Sequence, residues 1–463
     1  MSLSRRQFLH STAATSLAFS GLAACQRQRD TGGAIRQGYL NQVEGLGDLV
    51  RDPAEVFDLP EGFTYQILSQ TGDAMTDGLI VPGDPDGMAC FQRADGKIVL
   101  IRNHELRANE LAKSPFGEDA EGLDQIDRAR VHDWASESEP HLGGTTHLVL
   151  DPGTLAVEEQ FLSLTGTEVN CAGGPTPWGS WLSCEETERN AGDGAGVEHG
   201  YVFEVPAEAR GLVEPVPLKA MGRFRHEAVA IDPATSIAYQ TEDRSNRALF
   251  YRFTPNVPEQ FAEGGRLQGL AITGRPSLDM RNWQNQTVRV GEWMDVEWID
   301  LDDVEAPHAD LADRGVVAGA AQFTRGEGLW WGDGECYFAC TDGGPRRLGQ
   351  IWRYQPGENG GRIQLFFESD DDAVMEACDN LCVAPWGDLI VVEDGDAEQY
   401  IRGVTPQGEV YTIGRNAASG PDGQKSEICG PCFSPDGSTL FFNVQNHPGR
   451  TFAVRGPWPQ PVL

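Results

Sequence analysis

Four residues far apart in the chain, Cys171, Glu227, Glu327 and Asp379, are of types that hold multivalent cations. A thiolate is a soft donor and carboxylates are hard ones, so together they suit a transition metal beside calcium. Each stands at the head of a short run: Asn170-Cys-Ala-Gly-Gly174, His226-Glu-Ala-Val-Ala230, Gly326-Glu-Gly-Leu-Trp330 and Asp379-Asn-Leu-Cys-Val383. Asp86-Gly-Met-Ala-Cys90 and Cys429-Gly-Pro-Cys-Phe433 share the design, which adds Asp86 to the candidate ligands and, more weakly, Glu105 at the end of the first repeat. Carboxylates gathered at one point repel each other, and bound cations remove that penalty.

What gathers them is a repeat. Ala94–Glu105, Thr176–Thr187, Asp232–Asp243, Trp331–Asp342, Ala384–Asp394 and Ser434–His447 each read as a tight turn, a short apolar strand and a polar or acidic cluster. Six hairpins of one type predict an all-β fold, a six-bladed β-propeller with inserted loops. In a propeller the first strand of each blade lines the axis, so the heads of these strands converge. Residues 107–140 and 256–315, polar, rich in Asp and Glu and weakly periodic, are the expected insertions, and such insertions often cap a site.

The 463 residues carry a formal net charge of −34. Without a Lys/Arg cluster, that balance argues against nucleic-acid binding. Ser4-Arg-Arg-Gln-Phe-Leu9, the apolar-leaning segment that follows and Leu22-Ala-Ala-Cys25 have the form of a twin-arginine export signal. Cys25 is then the expected lipidation site, and the protein belongs in the periplasm or cell envelope, touching a membrane only through that anchor. Residues 1–25 are read as signal, 26–45 as a flexible tether and 46–463 as one propeller domain, expected to be a monomer. Of the ten cysteines, Cys429-Gly-Pro-Cys432 has C-x-x-C spacing without a helical context, and most read as buried small side chains.

Read together, Arg102-Asn-His-Glu105, Gly143-Gly-Thr-Thr146, Asn170-Cys-Ala-Gly-Gly174, Trp178-Gly-Ser-Trp-Leu-Ser-Cys-Glu-Glu186, Arg223-Phe-Arg-His-Glu227, Thr324-Arg-Gly-Glu-Gly328, Cys378-Asp-Asn-Leu381 and Cys429-Gly-Pro-Cys-Phe-Ser-Pro-Asp-Gly437 resemble the PhoX-type alkaline phosphatases in order and in kind. The likeness runs from about residue 50 to the end. It implies a six-bladed propeller that hydrolyses phosphate monoesters with a cluster of iron (Fe3+) and calcium (Ca2+). It implies Cys171 as an iron ligand, Glu227 and Glu327 as bridges between iron and calcium, Asp379 with Asn380 and Glu427 as calcium ligands, and Arg325 as the contact to substrate phosphate. The chemistry implied is displacement at phosphorus by an ion-activated oxygen, steadied by Arg325 and calcium. Gln445-Asn-His-Pro-Gly449 has one residue more than the family's Gln-His-Pro-Gly, which leaves Gln445 and His447 without an assigned role. Two other classes fit the repeat: a non-catalytic envelope propeller that binds a ligand or protein, and a calcium-dependent propeller lactonase, which needs no thiolate.

Overall fold

The computed structural model describes residues 38–460, apart from 135–138, 396, 421 and 422. The export signal, Cys25 and most of the expected tether lie outside the described residues. The chain divides into a short unit ending at Gly38 and a large one beginning at Tyr39, and only the large unit is considered below. Its packed chain starts somewhat before residue 46, because Leu40 N donates to Ala373 O at 2.6 Å and Gln42 N to Val410 O at 2.8 Å.

The large unit is all-β and propeller-like, with sheets of nine, six, four, four and three strands. Each expected hairpin is present. First strands Pro85–Gln92, Asn170–Pro175, His226–Ile231, Gly326–Gly332, Cys378–Val383 and Ile428–Phe433 pair antiparallel with second strands Ile98–His104, Ser180–Glu185, Ala238–Glu242, Glu335–Cys340, Leu389–Glu393 and Thr439–Val444. The turns follow from local chemistry. Gly96 and Gly387 take φ of 84° and 94°, conformations open mainly to glycine, while Ser236 at 59° accepts the strain in the third hairpin.

The first strands form a closed ring in which each packs against the next and Ile428–Phe433 packs back on Pro85–Gln92. Second strands such as Ile98-Val-Leu-Ile101 and Leu389-Ile-Val-Val392 are apolar on both faces because sheets pack on either side of them. One such layer joins Ile390, Val392 and Ile413 to Leu440, Phe442 and Phe452. The chain closes on itself: Thr64–Gln70 pairs with Arg450–Arg455, and Phe57–Pro60 pairs with the strand Val410–Asn416. Both pairings cover edges that would otherwise be open.

The 256–315 insertion is more ordered than its polar composition suggests. It holds the strands Gly265–Ile272 and Trp293–Asp300 and the helix Leu311–Ala318. Trp293–Asp300 pairs with Arg362–Glu368 over three residues and so joins two four-stranded arrays into the nine-stranded sheet. Its acids alternate with the buried Met294 and Val296, and that alternation is why the segment reads as polar.

Candidate metal centre

Every first strand carries a bulge at its head, where two residues face one on the second strand. A bulge frees a residue from the ladder and re-aims its side chain. The leading bulged residues are Asp86, Cys171, Glu227, Glu327 and Asp379, with Gly430 in the sixth strand. Gly430 sits at φ 59°, and a Cβ there would come within 2.5 Å of Asp86 O, so that strand supplies no ligand from its bulge. Glu427, one residue ahead of the strand, fills the gap in the pattern.

The bulges are clasped from the second strands. Asn103 Nδ2 donates to Cys171 O (3.1 Å) and Ala172 O (2.7 Å), while its Oδ1 accepts from Trp181 Nε1 and Ser183 Oγ. Thr241 Oγ1 donates to Glu327 O at 2.6 Å, Thr341 Oγ1 to Cys378 O at 2.8 Å and Asn443 Nδ2 to Asp86 O at 2.5 Å. In each case a side chain on one hairpin catches a carbonyl near the head of the next first strand. The carbonyls of Cys171, Ala172, Glu327, Cys378 and Asp86 thus find partners, which ties these strand heads to their neighbours.

The heads converge. Ligand atoms of Cys171, Glu186 and Glu227 lie within 4.8 Å of one another, as do those of Glu227, Glu327 and Asp379, and those of Asp86, Glu105 and Glu427. Glu227 belongs to the first two groups and ties them together. Asp86 adds to the charge that Glu227 feels, which connects the third group to the rest. Beneath, Gly87, Ala172, Ala228, Gly328, Asn380 and Gly430 line a space of about 20 Å³, room for about one water. Met88, Trp181, Leu329 and Trp330 add to its lining, and the heads that carry the converging acids and thiol sit together at one end of the ring.

The cluster is short of positive charge. Arg325 Nη2 pairs with Glu327 (2.7 Å) and with Asp243 (2.9 Å), Arg225 pairs with Glu186, and the exposed Arg107 pairs with Glu105 at 3.3 Å. Asp86, Glu227, Asp379 and Glu427 have no ion-pair partner among the described residues. Asp86, Glu227, Glu327 and Asp379 are nevertheless buried. Burial, with Asp394 nearby, pushes Asp379 up to about 7. Burial pushes Glu105 to about 6, and burial with Asp243 pushes Glu186 to about 8. Burial and neighbouring acids likewise hold Asp86, Glu227, Glu327 and Glu427 well above the ordinary carboxylate range. The Cys171 thiol is raised by burial and by Glu227, and its Sγ donates to His226 O at 3.2 Å. Seven carboxylates and a thiol that cannot all ionise alone are a donor set that fits multivalent cations.

The four residues first singled out therefore meet, with Glu427, Asp86 and Glu105 beside them. Asn380 Nδ2 donates to Asp379 Oδ1 on the same strand (3.1 Å), and its Oδ1 accepts from Gly430 N on the neighbouring first strand (2.8 Å). Arg325 projects from the cluster's edge with its side chain 30% exposed, and its Nη1 has no partner among the described residues. Gln445 Nε2 donates to Glu105 (2.9 Å), so the longer Gln-Asn-His loop still delivers an amide to the site. Glu186 and Asp243, from the acidic clusters that end their hairpins, lie against Arg225 and Arg325 respectively. The fourth cluster, Asp133, His141 and His199, was not anticipated, because its members share no repeat position. The nine described cysteines are all free, and all but the half-buried Cys90 are buried.

The sequence profile of the alkaline phosphatase PhoX family matches residues 44–449. A comparison with curated protein sequences gives no match. Among solved structures the chain is similar to Pseudomonas fluorescens PhoX in complex with vanadate, a transition-state analogue, at TM-score 0.64 and 17% identity over 87% of this chain and 96% of that one. A gluconolactonase of Xanthomonas campestris matches at TM-score 0.39 and 12% identity over 90% of this chain and 99% of that one. The profile match spans nearly the whole described propeller-like unit and includes every first strand and every acid and thiol that converge there. The chain belongs to the PhoX alkaline phosphatase family and is a phosphoric monoester hydrolase.

Proposed function

We propose that the ring is a six-bladed propeller whose axial cluster holds iron and calcium and cleaves phosphate monoesters outside the cytoplasm. The observation that carries this reading is the convergence of Cys171 with seven buried or half-buried carboxylates, four of them without a cationic partner among the described residues. The closed ring of first strands supports the blade count, with the nine-stranded sheet taken as two blades joined along a three-residue edge pairing.

Cys171, Glu186 and Glu227 are the set that would hold iron, since the thiolate is the soft donor among them. Glu227, Glu327 and Asp379, and separately Asp86, Glu105 and Glu427, are all-oxygen sets of the kind calcium takes. When bound, such ions activate an oxygen nucleophile and neutralise phosphate charge. The protein's own part is positioning. Asp243 and Glu327 fix the Arg325 guanidinium from one side, leaving Nη1 to donate to a phosphate oxygen as charge moves onto it. Gln445 steadies Glu105, and Asn380 steadies Asp379. Export through the twin-arginine signal and acylation of Cys25 complete the proposal, supported by Ser4-Arg-Arg-Gln-Phe-Leu9 and Leu22-Ala-Ala-Cys25.

Vanadate inhibition is the direct test. The purified enzyme should be inhibited by micromolar vanadate during hydrolysis of a chromogenic phosphomonoester, and Arg325→Lys should weaken that inhibition at least tenfold. Hydrolysis indifferent to vanadate would overturn the placement of phosphate at this centre.

A further inference from the structure

A second donor cluster lies behind the central site, on the other face of the same strand end. Asp133 comes from the 107–140 insertion, His141 stands two residues before the strand Gly143–Leu150, and His199 lies on the loop after the strand Ser180–Glu185. All three are buried, with ligand atoms within 4.8 Å of one another. His199 Nε2 is 3.1 Å and His141 Nε2 is 3.4 Å from the same oxygen, Asp133 Oδ2. Donors about 2.0–2.1 Å from a tetrahedral ion stand roughly 3.3–3.4 Å apart, so these spacings suit one ion among the three groups.

Two further observations point to a ligand. The His141 ring is fully buried, yet neither nitrogen has a hydrogen-bond partner. Both imidazoles also have a carboxylate behind Nδ1. Glu185 Oε1 is 2.7 Å from His199 Nδ1, and Glu168 Oε1 is 3.8 Å from His141 Nδ1. Glu185 is itself fixed by the N–H groups of Glu168, Gly200 and Tyr201, and Glu168 by Arg189 through two contacts of 2.6 Å. A carboxylate bonded to Nδ1, as Glu185 is to His199, sets the tautomer whose Nε2 faces a metal, while Glu168 stands near His141 Nδ1 without bonding it. Asp133 is held in turn by Gly196 N at 2.7 Å, and a Cβ at Gly196 would approach Asp133 Oδ1 to 2.6 Å.

We propose that Asp133, His141 and His199 bind one divalent transition ion of the zinc class, with a fourth position left to solvent. Two imidazoles and one carboxylate with no thiolate favour such an ion over calcium. The site clamps the 107–140 insertion to the 186–200 loop. It also fixes the strand end where Glu185 faces the clamp and Glu186 faces the central cluster.

The test uses the full chain, stripped with a chelator and titrated with Co2+ alone in a Cys171→Ser background. One equivalent should give the visible bands of a tetrahedral ion without the thiolate charge-transfer band that a cysteine ligand adds. His141→Ala or Asp133→Asn should weaken that binding at least tenfold. X-ray absorption at the cobalt edge of the same Cys171→Ser protein, which keeps all three proposed ligands, should show imidazole scattering and no sulfur. Proteolysis within residues 107–140 should speed up on chelation. Absence of the tetrahedral band, an all-oxygen or sulfur shell, or equal cobalt affinity in His141→Ala would overturn the proposal.

Discussion

Cys171 separates this centre from an all-oxygen calcium site. Its Sγ donates to His226 O, and a serine hydroxyl in its place keeps that bond, so Cys171→Ser should cost no more than about 1–2 kcal/mol of stability. If the thiolate holds iron, the same change should remove iron from the purified protein and lower phosphomonoesterase activity at least ~100-fold. Iron content and turnover on one sample check both. Arg325 makes a narrower claim. A lysine cannot bond Asp243 through two nitrogens and still reach Glu327, so Arg325→Lys forfeits charge-assisted bonds worth about 1.5–3 kcal/mol. The expected loss in kcat/KM is roughly 10–100-fold with iron and calcium content unchanged, which steady-state kinetics beside metal analysis would show.

Cys171, Glu227, Glu327 and Asp379 could be chosen from sequence because each stands at the same place in a repeat, whereas Arg325 came only through the family resemblance. Glu186 and Asp243 resisted, since many strands here end in acids and only the packed structure tells an acid turned into the cluster, or onto Arg325, from one at a solvated edge. Asn380 has a duty its motif did not show: its Oδ1 accepts from Gly430 N on the next first strand while its Nδ2 bonds Asp379 beside it.

The repeating hairpin does more than supply strands. Its bulge lifts one residue out of the ladder, and the small residue that follows lets neighbouring first strands close in. A Cβ at Gly328 would lie 2.5 Å from Asn380 Cα, and one at Gly87 would lie 2.4 Å from Ala172 Cα. The pairs Asp86-Gly, Cys171-Ala, Glu227-Ala and Glu327-Gly carried that signal, although the bulge itself is a register property that no single segment displays. The clasps were hidden for a similar reason, because each joins two hairpins distant in sequence. Asn103→Ala is the sharpest test of them. It removes two donors to the Cys171 bulge and the acceptor for Trp181 and Ser183, and should cost about 2–4 kcal/mol in urea unfolding. Activity should fall more than stability alone explains, because Cys171 is no longer held.

Across the protein as a whole, the carboxylate cluster ties stability to pH in a definite direction. Without bound ions, burial and neighbouring acids push Asp379, Glu105 and Glu186 up to about 7, 6 and 8, above their ordinary values near 4. These carboxyls hold more protons in the folded state than in the unfolded one. Above about pH 6.5 His104, His147 and His226, which burial holds low, are neutral in both states, so the cluster's contribution to unfolding free energy falls as pH rises, most cleanly from about 6.5 to 8. Thermal melts of chelated protein should therefore show a Tm that drops across that window. Calcium should flatten the slope, and apparent calcium affinity should rise with pH as the protons leave. A chelated protein whose stability is flat from about pH 6.5 to 8 would contradict the electrostatic account of the centre.

The ring itself was well marked in the sequence by its six turn-strand-acid stretches. Its inserted strands were not, because Trp293–Asp300 hides its apolar face behind alternating acids. The long-range closure of Thr64–Gln70 onto Arg450–Arg455 left no local trace either.

The central claim is that Cys171, Glu227, Glu327 and Asp379 act together as a cation cage for phosphate-ester hydrolysis. Elemental analysis and phosphomonoesterase assay of one preparation, before and after exhaustive chelation, address it most directly. The account predicts iron and calcium at stoichiometric levels, activity that disappears on chelation, and recovery when both metals are returned. Full activity in protein stripped of both metals would contradict it.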